Sequence, residues 1–387
     1  MTVATALVSG NEPLPWLAEQ AARDALKKSG LTHASGALLF LTQEFSHSAH
    51  HAQHAVTAVA RVVQSTQVAG GIASGVFTET GWVVDRPAAA VMVFGGGIAL
   101  GNERATGDEA PALLSYAGNY LPPEWLSSRA RFGANISGAF SDATSQGAPQ
   151  SAPLVWQQAR LNEPQRCSVQ ILGAQIDLAV SSGLKIMSST QRVEQCNGFD
   201  LERLSGRPAL RSLLSALPPD LRHQLETQLH HVVAIVLESP DEAKSAFADG
   251  YYRTLPIIAI NRDQSLTLAE RLAPGEQVCW AVRQPDSAEA DMRDALDGLI
   301  ARRRTETSPA CALMFSCIGR GPYFYGGDDR DLALLCQRFP GLPVLGTYST
   351  GQITPSRSGN RLRQNSVVTA LISETTTCKE AHVQSIT

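Results

Sequence analysis

The feature that most constrains the fold is a pattern of elements that occurs twice along the chain. The first copy consists of a helical stripe at 14–29, a continuous apolar run at 36–42, a second helical stripe at 52–63 and a glycine-interrupted strand at 68–75. The second copy consists of a helical stripe at 292–300, an apolar run at 310–316, another helical stripe at 332–339 and a glycine-interrupted strand at 344–351. Short apolar runs between amphipathic helices are typical of buried strands in parallel sheets.

The two glycine-interrupted strands also match in detail. Segments 68–78 and 344–354 share a valine, two glycines and a final threonine at identical offsets. We therefore predict an α/β fold, α+β in places, with two related halves, mixed sheets flanked by helices and a pseudo-twofold internal duplication. Each strand-helix-strand unit is expected to be a right-handed parallel crossover.

Other segments complete this organisation. Further strands are predicted at 82–85, 88–95, 168–172, 176–180, 232–237, 256–260 and 278–282, and a further helix at 210–217. The segment 130–153 is rich in glycine, alanine and serine and has little periodicity, so we predict a linker or mobile loop there.

Charge and cysteine usage restrict the function classes. Thirty-two Lys and Arg residues against 36 Asp and Glu residues leave a formal charge of −4, without the basic excess of a nucleic-acid-binding protein. Seven cysteines without a C-x-x-C pair do not resemble a disulfide framework, which favours a reducing compartment. No apolar stretch reaches membrane-spanning length, and the first residues do not resemble a secretory leader. We expect a cytoplasmic protein without membrane insertion.

The sequence contains none of the common catalytic signatures. A phosphate-binding loop, an H-E-x-x-H metal motif and a G-x-S-x-G nucleophile motif are all missing. The glycines at 94–101 approach a dinucleotide fingerprint, but the last one falls one position late, which favours a turn at a strand end. This favours a protein that is not an enzyme.

Four histidines are clustered in the second helix region: His47, His50, His51 and His54. At about 100° per residue they centre roughly 130° from the apolar stripe, so they are expected to face away from the core. A solvated polar face is one interpretation. A surface metal site is another, and a haem would more readily use His47, at the start of the helix, than His54.

A second candidate site follows the apolar run at 310–316. Cys317, Gly319, Arg320 and Gly321 lie where that strand ends, and ligands of parallel α/β units bind at the carboxyl ends of strands. The glycines permit close backbone approach, and Arg320 has the fork geometry that binds carboxylate or phosphate. Cys317 beside a cation is either partly thiolate or a buried inert thiol.

The glycine-bracketed segment 346–352 is a third candidate. Tyr348, Ser349, Thr350 and Gln352 combine one aromatic ring with several polar groups, which suits a small polar ligand. A bulged strand at a sheet edge is the alternative. By the duplication, Gln43 and Ser74 are the corresponding candidates of the first copy.

These residues resemble the FIST domain family. The resemblance rests on FSCIGRG at 315–321, on FPGLPVLGTYSTGQITP at 339–355 with the later Asn365, and on GGIASGVFTETG at 70–81. It covers roughly residues 30–370 and implies a FIST N-terminal domain at 1–200, a FIST C-terminal domain at 201–373 and a polar tail at 374–387. Gln352 stands where the family pattern has a glutamate, and Thr354 where a glycine is common.

The resemblance implies a cytoplasmic sensory protein. We therefore expect a non-enzymatic sensor of an amino acid or other small polar molecule, with Cys317, Arg320, Tyr348, Ser349, Thr350 and Gln352 at its site and a signalling partner. The family also includes haem-binding sensors of nitric oxide that act on a histidine kinase, so haem and a histidine kinase stay open as cofactor and partner. A cysteine-dependent enzyme using Cys317 is the third hypothesis.

Overall fold

The computed structural model of the chain describes residues 2–103, 111–118, 120–127, 129–136, 153–163, 165–237, 252–303, 307–356 and 359–375. Within them the fold is mixed α/β, as predicted. The helices are α1 (Trp16–Ser29), α2 (Ala49–Val63), α3 (Pro123–Leu126), α4 (Ala209–Ala216), α5 (Pro219–His223), α6 (Leu225–Gln228), α7 (Pro285–Arg302) and α8 (Arg330–Arg338). Short 3₁₀ turns lie at Gln43–His47, Leu229–His231, Ile318–Arg320 and Pro322–Tyr325.

The strands of the first half are β1 (Val3–Ser9), β2 (Gly36–Thr42), β3 (Val68–Ala73), β4 (Gly75–Thr78), β5 (Gly81–Val84), β6 (Ala88–Phe94), β7 (Ala99–Asn102), β8 (Leu113–Gly118), β9 (Arg131–Ile136), β10 (Val155–Gln157), β11 (Arg160–Leu161), β12 (Arg166–Leu172) and β13 (Ala174–Ser181). Those of the second half are β14 (Leu184–Ile186), β15 (Gln191–Asn197), β16 (Asp200–Leu204), β17 (Arg207–Pro208), β18 (Val232–Leu237), β19 (Tyr252–Ile260), β20 (Leu266–Leu268), β21 (Gln277–Arg283), β22 (Cys311–Cys317), β23 (Val344–Ser349), β24 (Gly351–Ser356), β25 (Gly359–Arg363) and β26 (Val367–Glu374).

Two six-stranded sheets share one layout. The first has the order β1-β6-β2-β3-β10-β11, and the second has the order β13-β26-β22-β23-β4-β5. In the first sheet β2 and β3 are parallel, and β6 is antiparallel to β2. In the second sheet β22 and β23 are parallel, and β26 is antiparallel to β22. The predicted parallel units are therefore present, while the common origin of the two halves stays a prediction.

Side-chain alternation on β22 shows how the layers stack. Leu313 and Phe315 belong to the core that the two sheets share, whereas Ala312 and Met314 pack in the separate core beneath α7 and α8. The buried faces of α1 and α2 pack on the first sheet within the shared core. The result is a four-layer sandwich of helices, sheet, sheet and helices, in which each layer buries its apolar face.

Aromatic rings form the centre of this sandwich. Phe40 of β2 and Phe315 of β22 pack edge to face, with centroids 6.3 Å apart and ring planes at 79°. The ring of Tyr116 lies 5.1 Å from Phe40 and 5.7 Å from Phe315, and Phe132 lies 6.4 Å from Phe315. All four rings are fully buried, so they join both sheets to a third one.

The third sheet has the order β25-β24-β9-β8-β12-β7 and includes the strand that corrects one prediction. Arg131–Ile136 was expected within a linker or mobile loop at 130–153, but it forms β9, which is buried at every position between β8 and β24. Gly133 and Ala134 at its centre are small enough for close strand pairing, but they interrupt the alternation of apolar residues from which a strand is predicted. The remainder of that segment, 137–152, lies outside the described residues.

Two hairpins cross between the halves. The β4–β5 hairpin follows β3 but pairs with β23, and the β24–β25 hairpin follows β23 but pairs with β9. Glu79, between β4 and β5, accepts hydrogen bonds from the backbone N–H of Val344 at 3.0 Å and from the Thr5 hydroxyl at 2.5 Å. The turn of the first crossing hairpin is therefore held by polar contacts to β1 and to the start of β23.

Residues 184–283 supply a separate lobe. Its eight-stranded sheet has the order β14-β21-β15-β16-β20-β19-β18, with β17 paired to β16 beside this path, and α4 packs on it through Leu213 within a core of its own. The predicted strand at 232–237 coincides with β18, and the helix predicted at 210–217 is α4 with both ends shifted by one residue.

The domain boundary near residue 200 stays a prediction, and β13, which precedes it, pairs with β26 near the C-terminus. Glu374, expected to begin a polar tail, ends β26, and residues 376–387 lie outside the described part.

Two matching glycines have the same packing role. A Cβ on Gly70 would lie 1.8 Å from the carbonyl oxygen of Leu39, its partner across the parallel pair. A Cβ on Gly346 would lie 2.4 Å from the carbonyl oxygen of Met314, its own partner, and 2.1 Å from the ring of Phe77. Both parallel pairs therefore require glycine on the second strand, which explains part of the shared sequence pattern.

Replacing Gly346 with alanine should destabilise the protein strongly. Because a backbone carbonyl and a buried ring both block the new methyl group, we expect a loss of about 3 kcal/mol in the free energy of unfolding, at the upper end for overpacking. Gly298→Ala, in α7, is the matched control, since its Cβ would meet only the end of the Arg302 side chain at 3.0 Å. Urea unfolding measures both, and equal effects would contradict this account of Gly346.

Candidate functional site

The candidate site lies at the carboxyl ends of the parallel strands β22 and β23. Cys317 ends β22 and is paired in register with Ser349, which ends β23. We call the polar group around this pair the strand-end cluster; it consists of Cys317, Ser349, Thr350, Gln352 and Ser366. The carboxyl ends of parallel strands are where α/β folds bind ligands.

A buried hydrogen-bond chain runs through the strand-end cluster. The Ser366 hydroxyl donates to Oε1 of Gln352 at 2.9 Å, and Nε2 of Gln352 donates to the Ser349 hydroxyl at 3.1 Å. All three side chains are buried. A glutamate, the residue of the family pattern, has no N–H to donate to Ser349 when ionised, so an amide fits this position in this chain.

Thr350 hydrogen-bonds to β9, the neighbour of β24 in the third sheet. Its hydroxyl donates to Oδ1 of Asn135 on β9 at 3.0 Å, and Nδ2 of Asn135 donates to the carbonyl of Ala117 on β8 at 3.2 Å. Thr350 is only half-buried, unlike the rest of the cluster. This side chain is therefore the most accessible part of the cluster.

Cys317 is a protonated thiol in this environment. Its side chain is buried, and Sγ lies 4.0 Å from the carbonyl oxygen of Thr350. Burial raises the pKa of the thiol, and hydrogen bonds from the backbone of Asn365 and Gly319 and the charge of Arg283 offset this only in part. Of the two predicted states of Cys317, this geometry favours the inert thiol.

Arg320 points away from solvent and binds another side chain. Its guanidinium makes a bidentate ion pair with Asp331, with Nε–Oδ2 at 2.9 Å and Nη2–Oδ1 at 2.8 Å, and Nη2 also donates to the carbonyl of Ala288 at 2.8 Å. Both partners are at most 2% exposed. Burial opposes the charge, but the Asp331 carboxylate raises the pKa of Arg320. The fork expected for a ligand is thus engaged by a carboxylate of the chain itself.

Tyr348 is part of the core beside this ion pair. Its ring packs on Phe77 with centroids 4.8 Å apart, and its hydroxyl donates to Asp329. Asp329 is also the N-cap of α8, because Oδ1 accepts the backbone N–H of Leu332 at 2.9 Å. Burial raises the pKa of Asp329 to about 6, and the nearby charge of Asp331 adds to the shift.

The remaining predicted residues lie around the cluster or apart from it. Ser74 adjoins it, since its backbone N–H donates to the carbonyl of Tyr348 at 3.0 Å. Gly321 is buried. A Cβ added to it would lie 3.3 Å from the ring of Tyr348. Gln43 begins the 3₁₀ turn after β2, and no hydrogen bond between described residues joins it to the strand-end cluster.

The four clustered histidines lie on the outer surface. His47, His50, His51 and His54 are all exposed, in agreement with the predicted direction of this face. The rings of His50 and His54 are 6.3 Å apart, and Nδ1 of His47 is 2.8 Å from the carbonyl oxygen of Glu44. Within the described residues, no three His, Cys, Asp or Glu side chains are grouped to hold a metal ion.

One residue beside Cys317 was missed by the sequence analysis. Arg283 ends β21 and is half-buried, with Nη2 donating to the carbonyl of Gly319 and Nη1 to the carbonyl of His230 at 3.4 Å. Its guanidinium lies 5.6 Å from the centre of the Phe324 ring. No local pattern marks it, because it is the last residue of an otherwise apolar strand and its neighbours come from distant segments.

Several surface cavities lie away from the strand-end cluster. Five of them, in the described part of the chain, have volumes from about 420 to about 610 Å³, and none of these five is lined by a residue of the cluster. One of about 530 Å³ is lined in part by Ala117, whose carbonyl binds Asn135. No helix among the described residues is long and apolar enough to cross a membrane.

Comparisons with known proteins support the family resemblance for the second half. Residues 209–355 match the family model of the FIST C domain. FIST domains are sensory and signal-transduction domains. The match includes β22, β23 and the whole of the segment 315–321. The resemblance of the first half to a FIST N-terminal domain stays a prediction.

Two mycobacterial relatives extend this finding without naming an activity. An uncharacterized protein of Mycobacterium bovis is 27% identical over 187 residues, which is 47% of each chain. An uncharacterized protein of Mycobacterium tuberculosis is 25% identical over 198 residues, or 50% of each chain. The chain therefore spans about half the length of the curated relatives it matches.

Replacing Arg320 with methionine tests whether this residue is structural. The substitution leaves Asp331 as a buried charge without its partner, so we expect a loss of about 3–5 kcal/mol in the free energy of unfolding. Arg330→Met is the control, because Arg330 is 40% exposed and pairs with the surface residues Asp286 and Glu289, which predicts a loss below about 1 kcal/mol. A small loss in Arg320→Met, measured by urea unfolding, would refute this structural role.

Asp329 should make stability depend on pH. Its folded-state pKa of about 6 lies above the ordinary value of 3.8, so its contribution is fully present below 3.8 and is lost as the pH rises through 6. Asp329→Asn retains a side chain that can cap α8 but does not titrate. Between pH 3.8 and pH 6, the free energy of unfolding of wild type should therefore fall by up to about 3 kcal/mol relative to that of the variant. Urea unfolding at several pH values measures the difference.

The control for this pH dependence is Asp328→Asn. Asp328 is the exposed neighbour of Asp329. Its replacement should leave the pH profile of wild type unchanged. A constant difference between wild type and Asp329→Asn from pH 4 to pH 7 would be evidence against the raised pKa.

Proposed function

We propose that this protein is a non-enzymatic cytoplasmic sensor that binds a small polar ligand at the strand-end cluster and signals to a partner protein. The sensory role of FIST domains supports this proposal. So does the position of the cluster, at the carboxyl ends of two parallel strands. A histidine kinase is the partner class that the family resemblance favours.

The observation that carries the proposal is the hydrogen bond between Thr350 and Asn135. It joins the end of β23, in the second half, to β9 of the third sheet. A ligand that competes for the Thr350 hydroxyl changes a contact at the link from β23 to β24, where the second sheet joins the third. Such a change gives ligand binding a structural effect that a partner can detect.

The two alternative functions have less support. The exposed positions of the four histidines place any haem on the outer face of α2, away from the strand-end cluster. The raised pKa of Cys317 disfavours the thiolate that a cysteine nucleophile requires. An absorbance spectrum after haem reconstitution and labelling of Cys317 with an alkylating probe test these alternatives directly.

A thermal-shift screen of amino acids and small carboxylates tests the leading proposal. At a hundredfold excess over its dissociation constant, a bound ligand should stabilise the folded protein by about 3 kcal/mol. Thr350→Val removes the hydroxyl with little change in size, so it should abolish the shift. Thr227→Val, at an exposed position on α6, is the matched control and should retain it.

Two outcomes would count against this site. If Thr350→Val responds to the same ligand as strongly as wild type, the ligand binds elsewhere. If no compound in the screen raises the melting temperature of wild type, the small-ligand proposal fails for that chemical class.

A further inference from the structure

Arg283 differs in its partners from three other buried or half-buried arginines. Arg320 pairs with Asp331, Arg131 with Glu103 at 2.7 Å, and Arg303 with Asp177 at 3.5 Å. The hydrogen bonds of Arg283 go to two backbone carbonyls, and no carboxylate of the described residues lies within salt-bridge distance. A partly buried cation without a counter-charge is costly, so this position favours an anion from outside the chain.

The side chain of Arg283 is only half-buried, so solvent and small ions reach part of it. A Cβ on Gly319 would lie 2.9 Å from Nη2 of Arg283 and 3.4 Å from Oδ1 of Asn365, so the lack of a side chain at Gly319 lets both groups approach. Asn365 has a positive φ of 53°, which fixes its backbone at the turn before β26. The buried Nδ1 of His231, next to the Arg283 partner His230, has no hydrogen-bond partner among the residues that the structure describes.

We infer that Arg283 binds an anionic group of the ligand, a carboxylate or a phosphate, beside the thiol of Cys317. This assignment rests on the proposed function and specifies the chemistry of its ligand. The guanidinium supplies the positive charge and the planar donor geometry that suit a carboxylate or a phosphate. Arg283 thus has the role that the sequence analysis assigned to Arg320.

The experiment measures the melting temperature of the full chain in sodium phosphate, sodium succinate and sodium chloride at equal ionic strength. We expect a saturable increase in phosphate, in succinate or in both, relative to chloride. A response to phosphate alone identifies a phosphate group, and a response to succinate alone identifies a carboxylate. No saturable increase with either anion would overturn the inference.

Arg283→Gln locates the effect. It should lose the saturable increase, whereas Arg293→Gln, which removes an exposed arginine of α7, should retain it. If Arg283→Gln does not fold, Arg283→Lys replaces it; its single ammonium lacks the planar fork, so the response should be weaker than in wild type. A full wild-type response in either Arg283 variant would place the anion elsewhere and overturn the inference.

The result is separable from that of the proposed function. If uncharged compounds shift the melting temperature in a Thr350-dependent manner while anions do not, the sensor proposal stands and the role of Arg283 fails. If anions act through Arg283 but Thr350→Val has no effect on any ligand, the anion site stands and the strand-end cluster fails as the sensory site.

Discussion

The edge-to-face contact between Phe40 and Phe315 is the interaction on which the rest of the structure depends. These two rings occupy corresponding positions on β2 and β22, each three residues after the first pair of its parallel register. Because they meet in the shared core, they fix the distance and orientation of the two sheets. Tyr116 and Phe132 extend the contact to the third sheet, in which the pairing of β9 with β24 places Asn135 next to Thr350.

The sequence predicted the elements whose periodicity is strong and local. The strands at 36–42 and 232–237, and the helices of both repeated units, follow from apolar spacing alone. It did not predict β1, β8 or β26, where small and polar residues interrupt the apolar pattern. These strands are stabilised by their neighbours in the sheets, and β26 in particular is buried between β13 and β22.

Arg320 and Arg283 show why the candidate site was only partly predictable. The position of Arg320 beside a strand end indicated a ligand, but its partner, Asp331, lies in another element, α8, and fills the fork. Arg283 is far from Cys317 along the chain and near it in space, so only the fold reveals it. The placement of Cys317, Ser349, Thr350 and Gln352 in one cluster, by contrast, follows from the parallel pairing that the repeated pattern predicted.

The crossing hairpins make the two halves dependent on each other for folding. The segment that matches the FIST C domain ends within β24 and does not include β26, and its β23 needs β4 from the first half to complete its sheet. Cut out alone, it would present unpaired strand edges, the usual starting point for aggregation. The recognisable sequence module is therefore smaller than the cooperative folding unit. The first half therefore reaches its final strand pairing only after β23 and β24 of the second half have been synthesised.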